Sequence, residues 1–463
     1  MNGPLVTVYM PCRDYGLYLT KAVDSVLAQL YSNWELFIIN EGSSDNTSEI
    51  ALTYVNKYPK QIRLINNKKA VGLQKLANDV LSKANGKYML RLDADDWLDE
   101  SALLIMVAKL EATQDVSLVY GNYFYTDSHG NVLGFERRKS LGEEDEAGFL
   151  PPHGACTMFR TRSLKTVGGY SEDIDAQDGW ELWYKLYSRF GAASIDAPTF
   201  YYRQHSSSLS RNERRLLSAR SKIFDKLSDA LKGDYNPSSL AVIPVRKSYD
   251  SFTDVPFKIF DGMSFLQRSL IQASKCDNVN SIAVASSSED VLEYSAKLEK
   301  QKLVPPHLRL LRTDNKEQNN FVPIQSILIK SAHLYADTFG QLPDIVSFLS
   351  LHAVKRQAKH IDDAINVLRL TGSDSVVSVE EEREPMFSLG KSGLSMLNPG
   401  RFQDLFYDRE RLYRFNGSII STWWETLNTH NLFGEKIAHI EMSQEDSLQI
   451  KSDKMLSDIN KAD

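Results

Sequence analysis

Tyr88-Met89-Leu90-Arg91-Leu92-Asp93-Ala94-Asp95-Asp96-Trp97 decides how the first half of this chain is read. Tyr88–Leu92 is a short, largely apolar run of strand type, and the chain turns acidic directly at its carboxyl end. Carboxylates packed this closely repel one another unless a cation or a hydrogen-bond network compensates them. A hard divalent ion bound by oxygens and shared with a diphosphate is one such arrangement. A turn in which Asp95 or Asp96 opens a helix would carry the same residues, so the surroundings must decide.

Upstream, strand-like and helix-like runs alternate. Leu5–Met10, Glu35–Ile39 and Ile62–Ile65 read as strands, and Leu17–Leu30 and Leu73–Leu81 carry apolar residues at helical spacing. Such alternation predicts a mostly parallel sheet flanked by helices, with ligands beyond the carboxyl ends of the strands. Arg211–Leu231 reads as a charged connecting helix, and Gly233–Ser239 is a run of helix breakers. A second alternating series then begins at Leu240–Val245, with strands predicted at Ser281–Ala285, Ile345–Leu349 and Ser375–Val379 and helices at Met263–Lys275 and Lys359–Leu370. The acidic runs Glu143–Glu146 and Glu380–Glu384 read as solvated loop or helix faces.

The 463 residues suit two large domains or three ordinary ones, and 42% hydrophobic with 25% charged residues is globular composition. A net charge of −6 argues against a general nucleic-acid binder. No apolar run approaches the ~18 residues that span a bilayer, and Met1–Val8 lacks the marks of a secretory leader. Three scattered cysteines, Cys12, Cys156 and Cys276, make neither a disulfide framework nor a four-cysteine zinc site. The expected setting is cytoplasmic, with a peripheral place at the inner face of a membrane left open.

Four further segments stand around the acidic stretch in a telling order: Val6–Asp14, Glu35–Thr47 with Asn40-Glu41-Gly42-Ser43, Ala176–Trp183, and Tyr201-Tyr202-Arg203-Gln204-His205. Together they resemble the family 2 glycosyltransferases of the GT-A fold over roughly residues 4–212. The resemblance implies that Pro11 and Asp14 shape the nucleoside pocket and that Glu41 stands where the family contacts the nucleobase. Asn40-Glu41 departs from the family's usual acid pair; uracil is the expected base. Arg91 and Asp93 would face the diphosphate, Asp95 would hold Mn²⁺ or Mg²⁺, and His205 would complete the metal or phosphate contacts, unless it is a loop histidine packed beside Tyr201 and Tyr202.

Asp178 is the implied general base, a carboxylate able to take the acceptor's proton, and it is also placed to cap the helix that follows. Gly154 and Ala155, in Pro151–Arg160, resemble the family's segment beside the sugar and acceptor, and small residues there permit close approach. Trp180 and Trp183 offer sugar-stacking faces, but their helical spacing favours core packing.

Residues 240–457 resemble the cytidylyltransferases of the CMP-sialic acid synthetase group, through Ala241–Arg246, Ser281–Ser287, His360–Ile365, Gly372–Ser378, Arg414–Ser418 and Ser443–Ser447. The departures weigh more. The loop Lys247–Asp254 has no glycine to approach a triphosphate, and the family's two metal-binding aspartates fall on Gln449 and Lys451. An ammonium at such a position repels a cation. Arg246, Lys247, Lys258 and Arg356 keep the charge to bind an anion, although solvated surface charge is the favoured reading. The expectation is a degenerate, non-catalytic domain, with a homodimer formed through the region of about 400–420 as the family implies.

The fold class expected is α/β: two nucleotide-binding-type domains, an N-terminal GT-A domain at 1–215 and a C-terminal nucleotidyltransferase-like domain at 240–463, joined by a helical linker at 216–239, each a mostly parallel sheet flanked by helices. The function expected is metal-dependent, inverting transfer from a nucleotide sugar, a UDP-hexose, to a glycan or glycoconjugate hydroxyl. Two other readings stay open: a bifunctional glycosyltransferase and CMP-sugar synthetase, and a non-catalytic nucleotide-sugar-binding scaffold.

Overall fold

A computed structural model describes residues 3–138, 155–174, 176, 178–205, 213–231, 236–249, 252–301, 308–312, 323–382, 384–390, 393–397, 412–429 and 431–462. It divides into two compact units, Met1–Arg220 with Arg383–Glu410, and Ser221–Glu382 with Arg411–Asp463. Among the described residues no helix is long and apolar enough to cross a membrane.

The first unit begins β1 (Val6–Cys12), α1 (Gly16–Leu27), β2 (Trp34–Glu41), α2 (Thr47–Lys57), β3 (Ile62–Asn67), α3 (Leu73–Lys83) and β4 (Tyr88–Arg91). It continues with β5 (Trp97–Leu98), α4 (Ala102–Ala112), β6 (Leu118–Thr126), β7 (Val132–Glu136), β8 (Met158–Arg160), α5 (Thr161–Thr166), α6 (Asp178–Phe190), β9 (Ala192–Arg203) and the first turns of α7 (Glu213–Leu231). Its sheet has the order β3-β2-β1-β4-β8-β6-β9-β5, with β7 on β6. Strands β3, β2, β1 and β4 are parallel. Beyond β4 the sheet is mixed, since β8 runs antiparallel to both β4 and β6. The expectation of a mostly parallel sheet is corrected here: only the βα-alternating part, whose connections cross over through helices, is uniformly parallel.

Both faces of that part are covered, which explains strands without polar alternation. Val6, Val8 and Met10 pack with Leu19, Val23 and Val26 of α1 and Met106 of α4. Tyr9, Phe37 and Ile39 pack on the other face with Leu76 and Val80 of α3 and Leu182, Trp183 and Leu186 of α6. Trp183 is therefore core, 2% exposed. The three cysteines are buried and free.

The second unit contains β10 (Ser239–Pro244), β11 (Ile259–Phe260), β12 (Met263–Ser264), α8 (Phe265–Ser274), β13 (Ser281–Ser286), α9 (Glu289–Lys300), β14 (Leu308–Arg312), α10 (Ile324–Phe339), β15 (Ile345–Leu349), α11 (Ala358–Thr371) and β16 (Ser375–Glu382). After the hairpin β17 (Phe387–Gly390) and β18 (Gly393–Met396), which groups with the first unit, come β19 (Leu412–Trp423), α12 (Trp424–Thr429), β20 (Ile437–Glu441) and α13 (Asp453–Ala462). The sheet order is β14-β13-β10-β15-β19-β16-β20. Glu380–Glu382 prove to be strand, paired with Arg414, Tyr413 and Leu412, with Glu380 ion-paired to Arg414 at 2.7 Å.

From Ser221 onward α7 belongs to this unit. Ser221 Oγ donates to Asp363 Oδ1 (2.7 Å), Asn366 Nδ2 to Asp225 Oδ1 (2.9 Å) and Arg369 Nη1 to Ser228 Oγ (2.6 Å). Positions 221, 225 and 228 recur at helical spacing, so one polar stripe of α7 reads one stripe of α11.

Candidate active site

Polar groups gather at the carboxyl ends of β1, β2 and β4. Pro11 ends the apolar part of β1, and Asp14 follows in a left-handed conformation, φ 58°. Asp14 Oδ1 accepts from Ser44 N (2.7 Å) and Ser44 Oγ (3.0 Å), bonds that hold this exposed carboxyl below the usual range. The β1 and β2 loops are thus tied together.

Glu41, at the end of β2, is 7% exposed. Its Oε1 accepts from Asn67 Nδ2 (2.6 Å), and Oε2 accepts from Val71 N (2.7 Å) and Gly72 N (3.3 Å). Gly72, φ 93°, is the residue before α3, so this carboxylate fixes the start of that helix. Any nucleobase contact by Glu41 would come in addition to these bonds. Beside it Asn40 Nδ2 donates to Asn66 Oδ1 (2.8 Å).

At the end of β4, Arg91 pairs with Asp93, Nε to Oδ1 3.1 Å. Asp95 lies deeper, with Oδ2 2.9 Å from His205 Nε2, and both residues are 7% exposed. Burial, with the Asp95 and Asp93 charges, pushes the Tyr15 phenol up. The His205 ring packs against Tyr15 and Tyr18, at centroid distances of 5.9 and 5.4 Å.

Asp96 takes a different part. Its Oδ1 accepts from Arg203 N (2.8 Å), whereas Oδ2 is buried with no hydrogen-bond partner. Burial and the neighbouring Asp95 and Asp93 charges push this carboxyl well up.

Pairing of β5 with β9, Trp97 opposite Tyr201, brings the closing segment to the acidic one. Trp97 stacks on Tyr201 at 5.0 Å, and the Arg203 guanidinium lies 4.8 Å from Trp97 and 4.5 Å from Tyr18. Arg203 also donates from Nε to Asp95 O (2.7 Å) and from Nη1 to Ser128 O (2.8 Å). Sequence reasoning missed Tyr15, Asp96, Trp97 and Arg203 as site builders. The aromatic and cationic residues within the quoted segments were the available signal.

Ala155 is buried beside Cys156, whose N–H donates to Arg91 O at 2.8 Å, so this segment does lie against the end of β4. Gly154 lies outside the described residues. Asp178 is the first residue of α6; its side chain is likewise outside them. Trp180, on the first turn, is half-buried and carries the Arg220 guanidinium 4.3 Å from its ring. A groove of about 370 Å³ lies elsewhere, at the amino end of β4, lined by Lys87, Glu111, Arg160 and Lys165 among others. Its buried Arg160 is spent on the carbonyls of Leu110 and Thr113 at the end of α4.

Among the described residues no three His, Cys, Asp or Glu side chains converge as a complete metal cage. Asp95 and His205 nonetheless present a hard oxygen and an imidazole nitrogen side by side in a buried place. That donor pair fits the ligand chemistry of a divalent cation.

In the second unit, the four candidate anion-binding cations are engaged internally. Lys247 pairs with Asp290, Lys258 with Asp453 (2.6 Å), and Arg246 lies over the Tyr249 ring (5.4 Å). Arg356 is buried and donates to Ser350 O (2.8 Å), Ser418 O (3.1 Å) and Ser269 Oγ (2.7 Å).

Comparison with known proteins bears on the first unit. The family model for glycosyl transferase family 2 matches residues 7–168. The putative glycosyltransferase EpsE of Bacillus subtilis (strain 168) is 30% identical over 221 residues, 45% of this chain and 77% of that protein. The UDP-Glc:alpha-D-GlcNAc-diphosphoundecaprenol beta-1,3-glucosyltransferase WfgD of Escherichia coli is 26% identical over 254 residues, 53% of this chain and 96% of that protein. Of two larger curated relatives the chain spans only 19%. A crystal structure of S. aureus TarS 1-349 in complex with UDP-GlcNAc is similar at 17% identity and a TM-score of 0.40, over 48% of this chain and 66% of that one. Since a 30%-identical relative is matched along more than three quarters of its own length, and the family model lies on the strands that end in this cluster, the chain belongs to glycosyltransferase family 2.

Proposed function

We propose that the chain is a metal-dependent, inverting glycosyltransferase that moves a hexose from a UDP-sugar to a hydroxyl of a polysaccharide or glycoconjugate. The observation that carries this is the buried Asp95–His205 pair, 2.9 Å apart, beside the Arg91–Asp93 ion pair. UDP as the carrier is supported by WfgD, whose name states a UDP-Glc donor.

In this reading Pro11, Asp14 and the Asn40–Glu41 end of β2 flank the nucleoside, and Arg91 and Asp93 face the diphosphate. Asp95 and His205 would hold a Mn²⁺ or Mg²⁺ ion, which would supply Lewis-acid stabilisation for the charge of a departing nucleoside diphosphate. Asp178 takes the proton of the acceptor hydroxyl while that oxygen bonds to the anomeric carbon and the carbon–oxygen bond to the diphosphate breaks. One displacement from the opposite face inverts the anomeric configuration. Gly154, Ala155 and Trp180 are assigned to the sugar and acceptor side.

Residues 240–463 are read as a cytidylyltransferase-like domain without catalysis, used for assembly, with a homodimer to be checked by sedimentation. The engagement of Lys247, Lys258 and Arg356 with internal partners favours this over a bifunctional enzyme. A screen of nucleotide sugars for metal-dependent release of nucleoside diphosphate tests the whole proposal. Nucleotide binding without turnover across that screen would favour the scaffold reading instead.

A further inference from the structure

Helix α6 starts at Asp178, and its first turn is gripped by polar contacts that core packing does not require. Glu181, three residues on and 3% exposed, accepts from Ser171 N at 3.1 Å and from Ser171 Oγ. Lys185 pairs with the same carboxylate at 2.6 Å and donates to Ser171 Oγ at 3.0 Å. The apolar residues Leu182, Trp183 and Leu186 already seat α6 on the sheet. A buried carboxylate is costly unless fully bonded, so its place here needs a use beyond holding the helix down.

The segment that Glu181 grips is itself held from α3. Asn78 Oδ1 accepts from Tyr170 N (2.9 Å), and its Nδ2 donates to Tyr170 O (2.9 Å) and Glu172 Oε1 (3.1 Å). The Tyr170 hydroxyl in turn meets that of Tyr9 on β1 at 3.1 Å. Gly169, φ 70°, lies so close to Asn78 that a Cβ there would collide with its Oδ1. Because α3 begins at the turn fixed by Glu41, one helix is tied at its start to the end of β2 and at Asn78 to the support of α6.

We propose that Asn78 and Glu181 are positioning residues for Asp178. Through Tyr170 and Ser171 they fix the first turn of α6, and thereby the distance from the base to the donor bound at the strand ends. This rests on Asp178 being the base. Positions three apart on a helix lie on one face, so a clamp at 181 controls residue 178 more directly than packing further along can.

The test compares wild type with Asn78→Ala, Glu181→Ala and Glu181→Gln, using the nucleotide sugar and acceptor that wild type turns over, together with amide exchange of the peptide spanning residues 176–182. The alanine variants are expected to lose roughly 10- to 100-fold in kcat, the scale of an ångström-sized misplacement, with donor KM within about twofold. Glu181→Gln, which keeps an acceptor for Ser171, should recover most of the rate, and exchange at 176–182 should quicken in the alanine variants. Should Glu181→Ala fail to fold, Ser171→Ala takes its place. Unchanged kcat, or a loss borne by KM with exchange unaltered, overturns the clamp. Wild-type protein inactive on every nucleotide sugar overturns the Asp178 reading beneath it, while the exchange measurement still decides whether the clamp exists.

Discussion

His205 Nε2 and Asp95 Oδ2 lie 2.9 Å apart although 110 positions separate them in the chain. Neither the acidic stretch nor the closing segment makes this contact alone; the pairing of Trp97–Leu98 with Phe200–Tyr201 brings them together.

The first prediction concerns this pair. His205→Ala and Asp95→Asn should weaken Mn²⁺ activation by more than the about 10- to 100-fold that loss of an outer-shell partner costs. Thermal unfolding should remain cooperative in both variants. Chelation should remove turnover and added Mn²⁺ or Mg²⁺ restore it; activity that persists in chelator would end the metal assignment.

Asp178 gives the second. Asp178→Asn should reduce kcat by about 10²- to 10⁴-fold, the usual contribution of a positioned base, and leave UDP affinity by calorimetry as in wild type. A fully active variant would remove the base assignment and leave the donor site standing.

The third is a pH effect in the second unit. Burial pushes Asp363 up to about 7 and Asp362 up to about 6. Unfolded aspartates titrate near 4, so between about pH 4 and 7 the folded chain keeps protons that the unfolded chain has released. Their contribution to stability is therefore full below about pH 4 and lost as pH rises through 6 to 7. Asp363→Asn, which keeps an oxygen for the Ser221 hydroxyl, should stabilise the unit at pH 8 by up to about 4 kcal/mol and change little at pH 4. Melting curves of the two proteins at both pH values check this, and a variant less stable at pH 8 would show that the fold favours the Asp363 charge instead of opposing it.

The fourth concerns nucleotidyl transfer. The full chain with CTP, an acidic sugar and Mg²⁺ should release no pyrophosphate above background, because the proposed cytidylyltransferase likeness puts Lys451 where a metal-binding carboxylate is needed. Release at enzymatic rates would reinstate the bifunctional reading.

Much of the first unit could be read from the chain. The βα alternation put strands at 6, 35, 62 and 88 within a residue or two, because runs buried on both faces have few polar interruptions. What escaped was the part built by long-range pairing. The two-residue strand Trp97–Leu98 is too short to carry a period, and the antiparallel return of Met158–Arg160 depends on partners far away in sequence. Glu41 was legible as the end of a strand but not as the anchor of Val71 and Gly72, since a backbone donor leaves no mark in a side-chain pattern. Glu380–Glu382 read as solvated acid and are a strand, held by Arg414 across the ladder.

The late meeting of 97–98 with 200–201 also orders events during synthesis. A nascent polypeptide released at residue 168, where the family signature stops, owns every acid of the cluster but neither His205 nor the strand that leads to it. Prematurely terminated products would therefore lack the Asp95–His205 contact, and the ribosome must deliver the last strand of the sheet before that pair can form.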